Sequence, residues 1–272
     1  MPTIQIDPTL TLFYEDQWFG EPWNQPEVVL LIHGIAESSR AWFGWVPCLS
    51  RDLRVLRPDW RGFGRSTVPP ADFKWSPAVL AADLKTFFDK LGIDSAHIVG
   101  AKFGGSIAFQ FAADYPERTR TLSILSGPVR ARATGGSMDL LSASAGLREL
   151  GSRGWAAKTQ RARLGSEASE EQVAWWTDMM GEADPQVCIG VTSLLPQLDL
   201  SGLLKRIKAP TLLVTTDHSP LQSVETVLEV QREIPNSELL VLPSDSYHIA
   251  AVQPDECARQ VLKFIKKQRG KK

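Results

Sequence analysis

The chain has 272 residues, 43% of them hydrophobic and 22% charged, with a formal net charge of −1. That length suits one large α/β domain or a core with an inserted subdomain, and the composition is that of an ordinary globular protein. The balanced charge gives no basis for nucleic acid or an anionic membrane as partner, and no apolar run approaches the roughly 20 residues needed to span a bilayer.

In chain order, residues 3–6 and 11–14 read as two short strands. Val28-Val29-Leu30-Leu31-Ile32 follows as a continuous β-branched and leucine run, the mark of a strand buried on both faces of a parallel sheet. Similar runs stand at Arg54-Val55-Leu56, Ala96-His97-Ile98-Val99, Thr121-Leu122-Ser123-Ile124-Leu125, Thr211-Leu212-Leu213-Val214 and Leu239-Leu240-Val241-Leu242. Helical patterns lie between them. Residues 77–91 place Val79, Leu80, Leu84, Phe87, Phe88 and Leu91 close to a 3.6-residue period. Residues 103–115 are apolar almost all round, as in a helix packed at the centre of a fold, and residues 223–234 and 256–267 complete the alternation. Strands and helices alternating in this way predict a mostly parallel sheet with helices on both faces. Residues 128–200 break the pattern, with helical stretches at 143–150 and 170–180 and no strand. They read as a helical cap over the C-terminal edge of the sheet, where open α/β sheets bind ligands. The expected division is a core of residues 1–127 and 201–272 and a cap of residues 128–200.

Chemistry concentrates at His97-Ile98-Val99-Gly100-Ala101-Lys102-Phe103-Gly104-Gly105: a strand, a tight turn of small residues, then an apolar helix. The central residue of such a turn is held in a strained backbone conformation, and side chains on the flanking glycines would collide with strand and helix. Gly100-Ala101-Lys102-Phe103-Gly104 resembles the G-x-S-x-G nucleophile elbow of the α/β hydrolases, with lysine where that family has serine. Other segments support the resemblance in the expected order. His33-Gly34 resembles the family's oxyanion loop, and Asp59-Trp60-Arg61-Gly62-Phe63-Gly64-Arg65-Ser66 its D-x-R-G-x-G-x-S loop. Ile207-Lys208-Ala209-Pro210-Thr211-Leu212 resembles the approach to the strand before the catalytic acid. Tyr247-His248 stands ahead of an amphipathic helix, as the family's catalytic histidine does. The cap and flanks are most similar to the small lactonase, esterase and C–C-bond hydrolase branch.

The resemblance implies the α/β-hydrolase fold: an eight-stranded, mostly parallel sheet with an inserted helical cap. It implies backbone N–H groups of Ile35 and Phe103 as an oxyanion hole, His248 as proton shuttle, and His33 and Gly34 at the pocket. The acid departs from the family pattern. In Thr216-Asp217-His218-Ser219 the expected slot falls on Ser219, and Asp217 serves only after a register shift. Ser106, one turn beyond the elbow, reads as an ordinary helix residue. Asp59 and Arg61 read as an ion pair fixing their loop. Of the adjacent Trp175 and Trp176, one is expected to face the pocket.

A lysine at the elbow admits three roles. Desolvation under a cap and the positive end of a helix dipole both favour the neutral amine. Neutral Lys102 attacks a ketone or aldehyde to form a Schiff base, or acts as a general base. Charged Lys102 instead pairs with an anionic ligand or a protein carboxylate. An acyl intermediate on Lys102 would be an amide, which is hard to release. The first reading is therefore a cofactor-free enzyme acting on a small or medium carbonyl substrate, by hydrolysis or C–C/β-keto cleavage, with catalytic Lys102, His248 and Asp217. The alternative is a non-catalytic ligand-binding or regulatory protein on the same scaffold. A small-molecule carbonyl or carboxylate ligand is the expected partner, with no cofactor and no metal, in a monomer or homodimer. Three cysteines without C-x-x-C spacing argue for a reducing, cytoplasmic setting. Residues 1–16 lack the basic flank and apolar core of a secretory leader.

Overall fold

The structure, a computed structural model, describes residues 2–130 and 142–270. Its strands are β1 (Thr3–Asp7), β2 (Leu10–Gln17), β3 (Val28–Ile32), β4 (Arg54–Pro58), β5 (Ala96–Ala101), β6 (Thr119–Leu125), β7 (Thr211–Thr216) and β8 (Ser237–Leu242). They form one sheet in the order β1-β2-β4-β3-β5-β6-β7-β8. β1 and β2 run antiparallel to their neighbours, and every pairing from β4 to β8 is parallel. The continuous apolar runs lie where the physics puts them. All five residues of β3 and all six of β5 and β7 are buried, because helices cover both faces of the sheet centre.

The helices are α1 (Val46–Leu49), α2 (Pro77–Leu91), α3 (Phe103–Asp114), α4 (Ala143–Leu164), α5 (Glu170–Gly181), α6 (Pro185–Thr192), α7 (Val224–Glu233), α8 (Ile249–Val252) and α9 (Pro254–Arg269). α2 begins with Ser76 accepting the Val79 N–H and ends at Gly92, whose φ of 65° is the left-handed conformation of a helix C-terminus. α3 is the central helix: every residue from Phe103 to Ala113 is buried. Ser106, on this helix, donates its hydroxyl to the Pro128 carbonyl at 2.6 Å and stays structural.

The insertion between β6 and β7 is helical, as expected, although residues 131–141 of the expected cap lie outside the described residues. α4 extends well beyond the short stretch legible in the sequence, with a break at Gly151 (φ 65°, ψ 179°). α5 carries a reciprocal cap between Ser169 and Gln172. α6 was not legible, since it is short and opens on a proline. Among the described residues, no helix is long and apolar enough to cross a membrane.

Candidate active site

The turn from β5 into α3 explains its own sequence. Lys102 has φ 53° and ψ −127°, a left-handed conformation strained for a residue with a side chain. A Cβ on Gly100 would stand 2.4 Å from the Gly104 carbonyl oxygen, and one on Gly104 would stand 2.1 Å from that of Ile32. Strand and helix meet so closely that only glycine fits at both flanks. The turn aims Lys102 back across the loop after β3, where a Cβ on Gly34 would lie 2.7 Å from Lys102 Cε. Lys102 is only 5% exposed.

The ammonium meets a carboxylate that the sequence did not single out. Lys102 Nζ forms an ion pair with Glu37 Oε1, and both side chains are buried. The same Oε1 lies 3.0 Å from His248 Nε2, and Glu37 Oε2 accepts the Gly34 N–H at 2.8 Å. Glu37 thus links the elbow, the loop after β3 and the histidine. An ionised carboxylate is acceptor-only, so this contact assigns the proton to Nε2 of neutral His248. His248 Nδ1 is buried without a hydrogen-bond partner. Trp176 packs on the imidazole at 4.6 Å between ring centroids, whereas Trp175 turns outward to Phe43 and Arg40.

Burial dominates the protonation of the group. Desolvation lowers the Lys102 pKa to about 8; Glu37 opposes the shift and Arg163 adds to it. The same desolvation, with Lys102 and Arg163 nearby, holds His248 well below the usual histidine range. His33 is also lowered by burial. Its Nδ1 contacts the Gly34 carbonyl oxygen at 2.8 Å and its ring stacks on Trp60, so it shapes the loop rather than the cavity.

The expected acid stands elsewhere. Asp217 is exposed, and its Oδ1 accepts the Ser244 N–H at 2.9 Å, tying the end of β7 to the loop after β8. Ser219 Oγ accepts the N–H groups of Leu221 and Gln222, both at 3.3 Å. Neither side chain is brought to His248; the carboxylate there is Glu37. Asp59 and Arg61 do not pair with each other either. Asp59 accepts the N–H groups of Ser39 and Arg65, and Arg61 forms a two-pronged bond to Asp83, both contacts at 2.8 Å.

Lys102 opens on a small cavity of about 50 Å³, room for a few waters or one small organic group. Ile35, Phe103, Trp155, Arg163 and Tyr247 also line it. The N–H groups of Ile35 and Phe103 have no acceptor among the described residues, and Phe103 begins α3, where backbone donors are unsatisfied by construction. Arg163 is 6% exposed. Its Nε donates to Thr159 Oγ1 at 3.0 Å, its Nη1 donates to the Tyr247 hydroxyl, and its guanidinium lies 4.3 Å over the Trp155 ring. No carboxylate pairs with Arg163 among the described residues. Nor does any cluster of three or more histidine, cysteine, aspartate or glutamate side chains among them have metal-holding geometry.

Comparison with known proteins agrees with this architecture. Residues 27–153 match a family described as alpha/beta hydrolase fold. The chain is 39% identical to bifunctional epoxide hydrolase 2 of Sus scrofa over 129 residues, 46% of this chain and 22% of that protein. It is 38% identical to 2-hydroxy-6-oxo-6-phenylhexa-2,4-dienoate hydrolase of Burkholderia cepacia over 109 residues, 39% of this chain and 37% of that one. The matches therefore span well under half the length of these curated relatives. Among solved structures, the enol-lactonase from Burkholderia xenovorans LB400 superposes with a TM-score of 0.87 at 20% identity, covering 97% of this chain and all of that one. That likeness is one of fold.

Proposed function

We infer that this chain, an α/β-hydrolase-fold protein with a buried lysine at the nucleophile elbow, is an enzyme acting on small carbonyl compounds that bear a carboxylate. Lys102 is its reactive amine. The observation that carries the reading is the placement of Lys102: buried, on the wall of a cavity, with its pKa lowered to about 8, and sharing that cavity with Ile35 and Phe103, whose backbone N–H groups have no acceptor among the described residues. The Glu37 contact keeps the ammonium predominant at neutral pH, while the lowered pKa leaves a working fraction of free amine.

In this reading a ketone or aldehyde oxygen points at the N–H groups of Ile35 and Phe103, which stabilise negative charge as Nζ attacks the carbonyl carbon. Loss of water gives an iminium on Lys102, an electron sink for cleavage of the neighbouring C–C bond. Hydrolysis of the iminium returns the amine. Arg163, buried and paired with no carboxylate among the described residues, supports a substrate carboxylate, which a guanidinium binds through two parallel N–H···O bonds. The relative from Burkholderia cepacia bears a name that describes a substrate with both an oxo group and a carboxylate. His248, with a bare Nδ1, is the proposed proton shuttle. The roles first assigned to Asp217 and Ser219 find no support in their positions.

The test is reductive trapping. Incubation with levulinate and cyanoborohydride is expected to add mass at Lys102, with faster labelling than by the uncharged 2-pentanone. Arg163→Gln should erase the preference for levulinate and leave the 2-pentanone adduct. Absence of any Lys102 adduct across pH 6–10 would sink the Schiff-base reading. Saturable levulinate binding without an adduct, lost in Lys102→Met, would establish the ligand-binding alternative.

A further inference from the structure

Glu37 has a second side. Besides touching Nζ and His248, it lines a separate polar cavity of about 120 Å³ between the core and the cap helix α5, together with Ser38, Ser39, Asp59, Arg65 and Glu182. Lys102 does not line this outer cavity, and Glu37 does not line the inner one. Glu37 therefore stands between the apolar cavity that holds the amine and a polar cavity of a size to hold several waters.

We propose that Glu37 is the proton-transfer residue of Lys102, exchanging the amine's proton with water in the outer cavity. The proposal rests on the Schiff-base reading above and adds the group that moves its protons. The steps balance. The ion pair of ammonium and carboxylate becomes amine and carboxylic acid when one proton crosses from Nζ to Oε1. The amine adds to the carbonyl carbon, and a second proton passes from nitrogen to the developing alkoxide, giving a neutral carbinolamine. The acid then returns its proton to the hydroxyl, which leaves as water with its bonding pair, and the nitrogen lone pair forms the iminium. Glu37 ends ionised beside a cation, as it began. The reverse path needs one water, which adds to the iminium carbon from the inner cavity, itself large enough for a few waters.

The geometry favours Glu37 over the neighbouring groups for this task. The titratable groups near Lys102 are Glu37, His248, Tyr247, Arg163 and His33. Arg163 cannot give up its proton, and burial raises the Tyr247 hydroxyl further from use. His248 touches the carboxylate through Nε2. His33, close enough to feel both Glu37 and Asp59, has its Nδ1 occupied by the Gly34 carbonyl.

The experiment follows Lys102 adduct formation with 2-pentanone and cyanoborohydride from pH 6 to 10 in the full chain and in Glu37→Gln. Glutamine keeps the shape and removes the proton acceptor. Losing the carboxylate should move the midpoint to lower pH. If Glu37 acted only as a counter-charge, its loss would free more amine and raise the rate between pH 6 and 8. As the proton carrier, its loss lowers that rate by about 100-fold, the usual scale for general acid–base catalysis. An unchanged or faster rate between pH 6 and 8 overturns the proposal. Should Glu37→Gln not fold, Ala183→Phe decides in the same pH range, because it fills the outer cavity from α5's C-terminal side while leaving Glu37 in place. A natural chain that forms no adduct at all defeats the Schiff-base reading itself, a result distinct from an adduct that forms without help from Glu37.

Discussion

The pKa of Lys102 can be read directly through its chemistry. With a pKa of about 8, roughly one Lys102 in eleven is a free amine at pH 7, against about one in a few thousand for an ordinary lysine. That is an excess of nucleophile of about 200-fold. Burial hinders reagents, so absolute rates mislead and the midpoint of the pH profile is the quantity to read. Trace methylation with formaldehyde and cyanoborohydride from pH 6 to 11, quantified by peptide mass spectrometry, gives Lys102 and surface lysines in one experiment. Lys205, 78% exposed at its side chain, serves as the internal reference. Lys102 should reach half its maximal labelling near pH 8, about two units below the ~10.4 of an ordinary lysine. Superimposable profiles would refute the argument, since they would mean that Glu37 cancels the desolvation in full.

Other consequences are open to simpler measurements. Lys102→Met leaves the Glu37 charge buried and unpaired and should cost about 3–5 kcal/mol in urea denaturation, most of it recovered in Lys102→Met/Glu37→Gln; additive losses would show that the pair is not coupled. Gly104→Ala forces a methyl to within 2.1 Å of the Ile32 carbonyl oxygen and should lower stability by at least about 2 kcal/mol, read as an earlier urea midpoint. His97, buried between Thr121 and Glu27, is held down to about 4 by desolvation. Above pH 6.5 it is neutral in both folded and unfolded chains. As pH falls from 6.5 towards 4 only the unfolded chain takes up the proton, so stability drops by up to about 3 kcal/mol. His97→Gln should flatten that slope between pH 7 and pH 4.5, and an unaltered slope would place the acid sensitivity elsewhere.

Much of the scaffold was legible because the strands that form it are buried on both faces. β3, β5 and β7 announce themselves as unbroken apolar runs, and α3 as a helix without a polar face. The elbow was legible for a steric reason: Gly100 and Gly104 are the residues that the close passage of α3 over the strand ends demands. The charged part of the site was not legible. Glu37 lies four residues beyond His33 in a loop whose sequence gives no sign that its carboxylate turns inward, and its partners are 65 and 211 residues away in the chain. Arg163 similarly looks like one of several arginines at the end of α4 until the fold brings it to Tyr247. Expecting Asp217 or Ser219 to orient His248 assumed that β7 delivers its loop to the histidine. Instead the Asp217 carboxylate is spent on the Ser244 N–H, which closes that loop over the end of β8.

The backbone of Arg163 also joins two parts of the molecule that lie more than 80 residues apart in the chain. Its carbonyl oxygen accepts both the His248 N–H at 3.1 Å and the Ser246 hydroxyl at 2.9 Å, while its side chain holds the Tyr247 hydroxyl. The last turn of α4 is thereby latched to three successive residues of the histidine loop. Any swing of α4 away from the sheet must break these bonds and release the histidine from its register beside Glu37. The position of the cap's longest helix and the register of the histidine are thus one structural variable, and a substitution that weakens the end of α4 is felt at His248 without touching it.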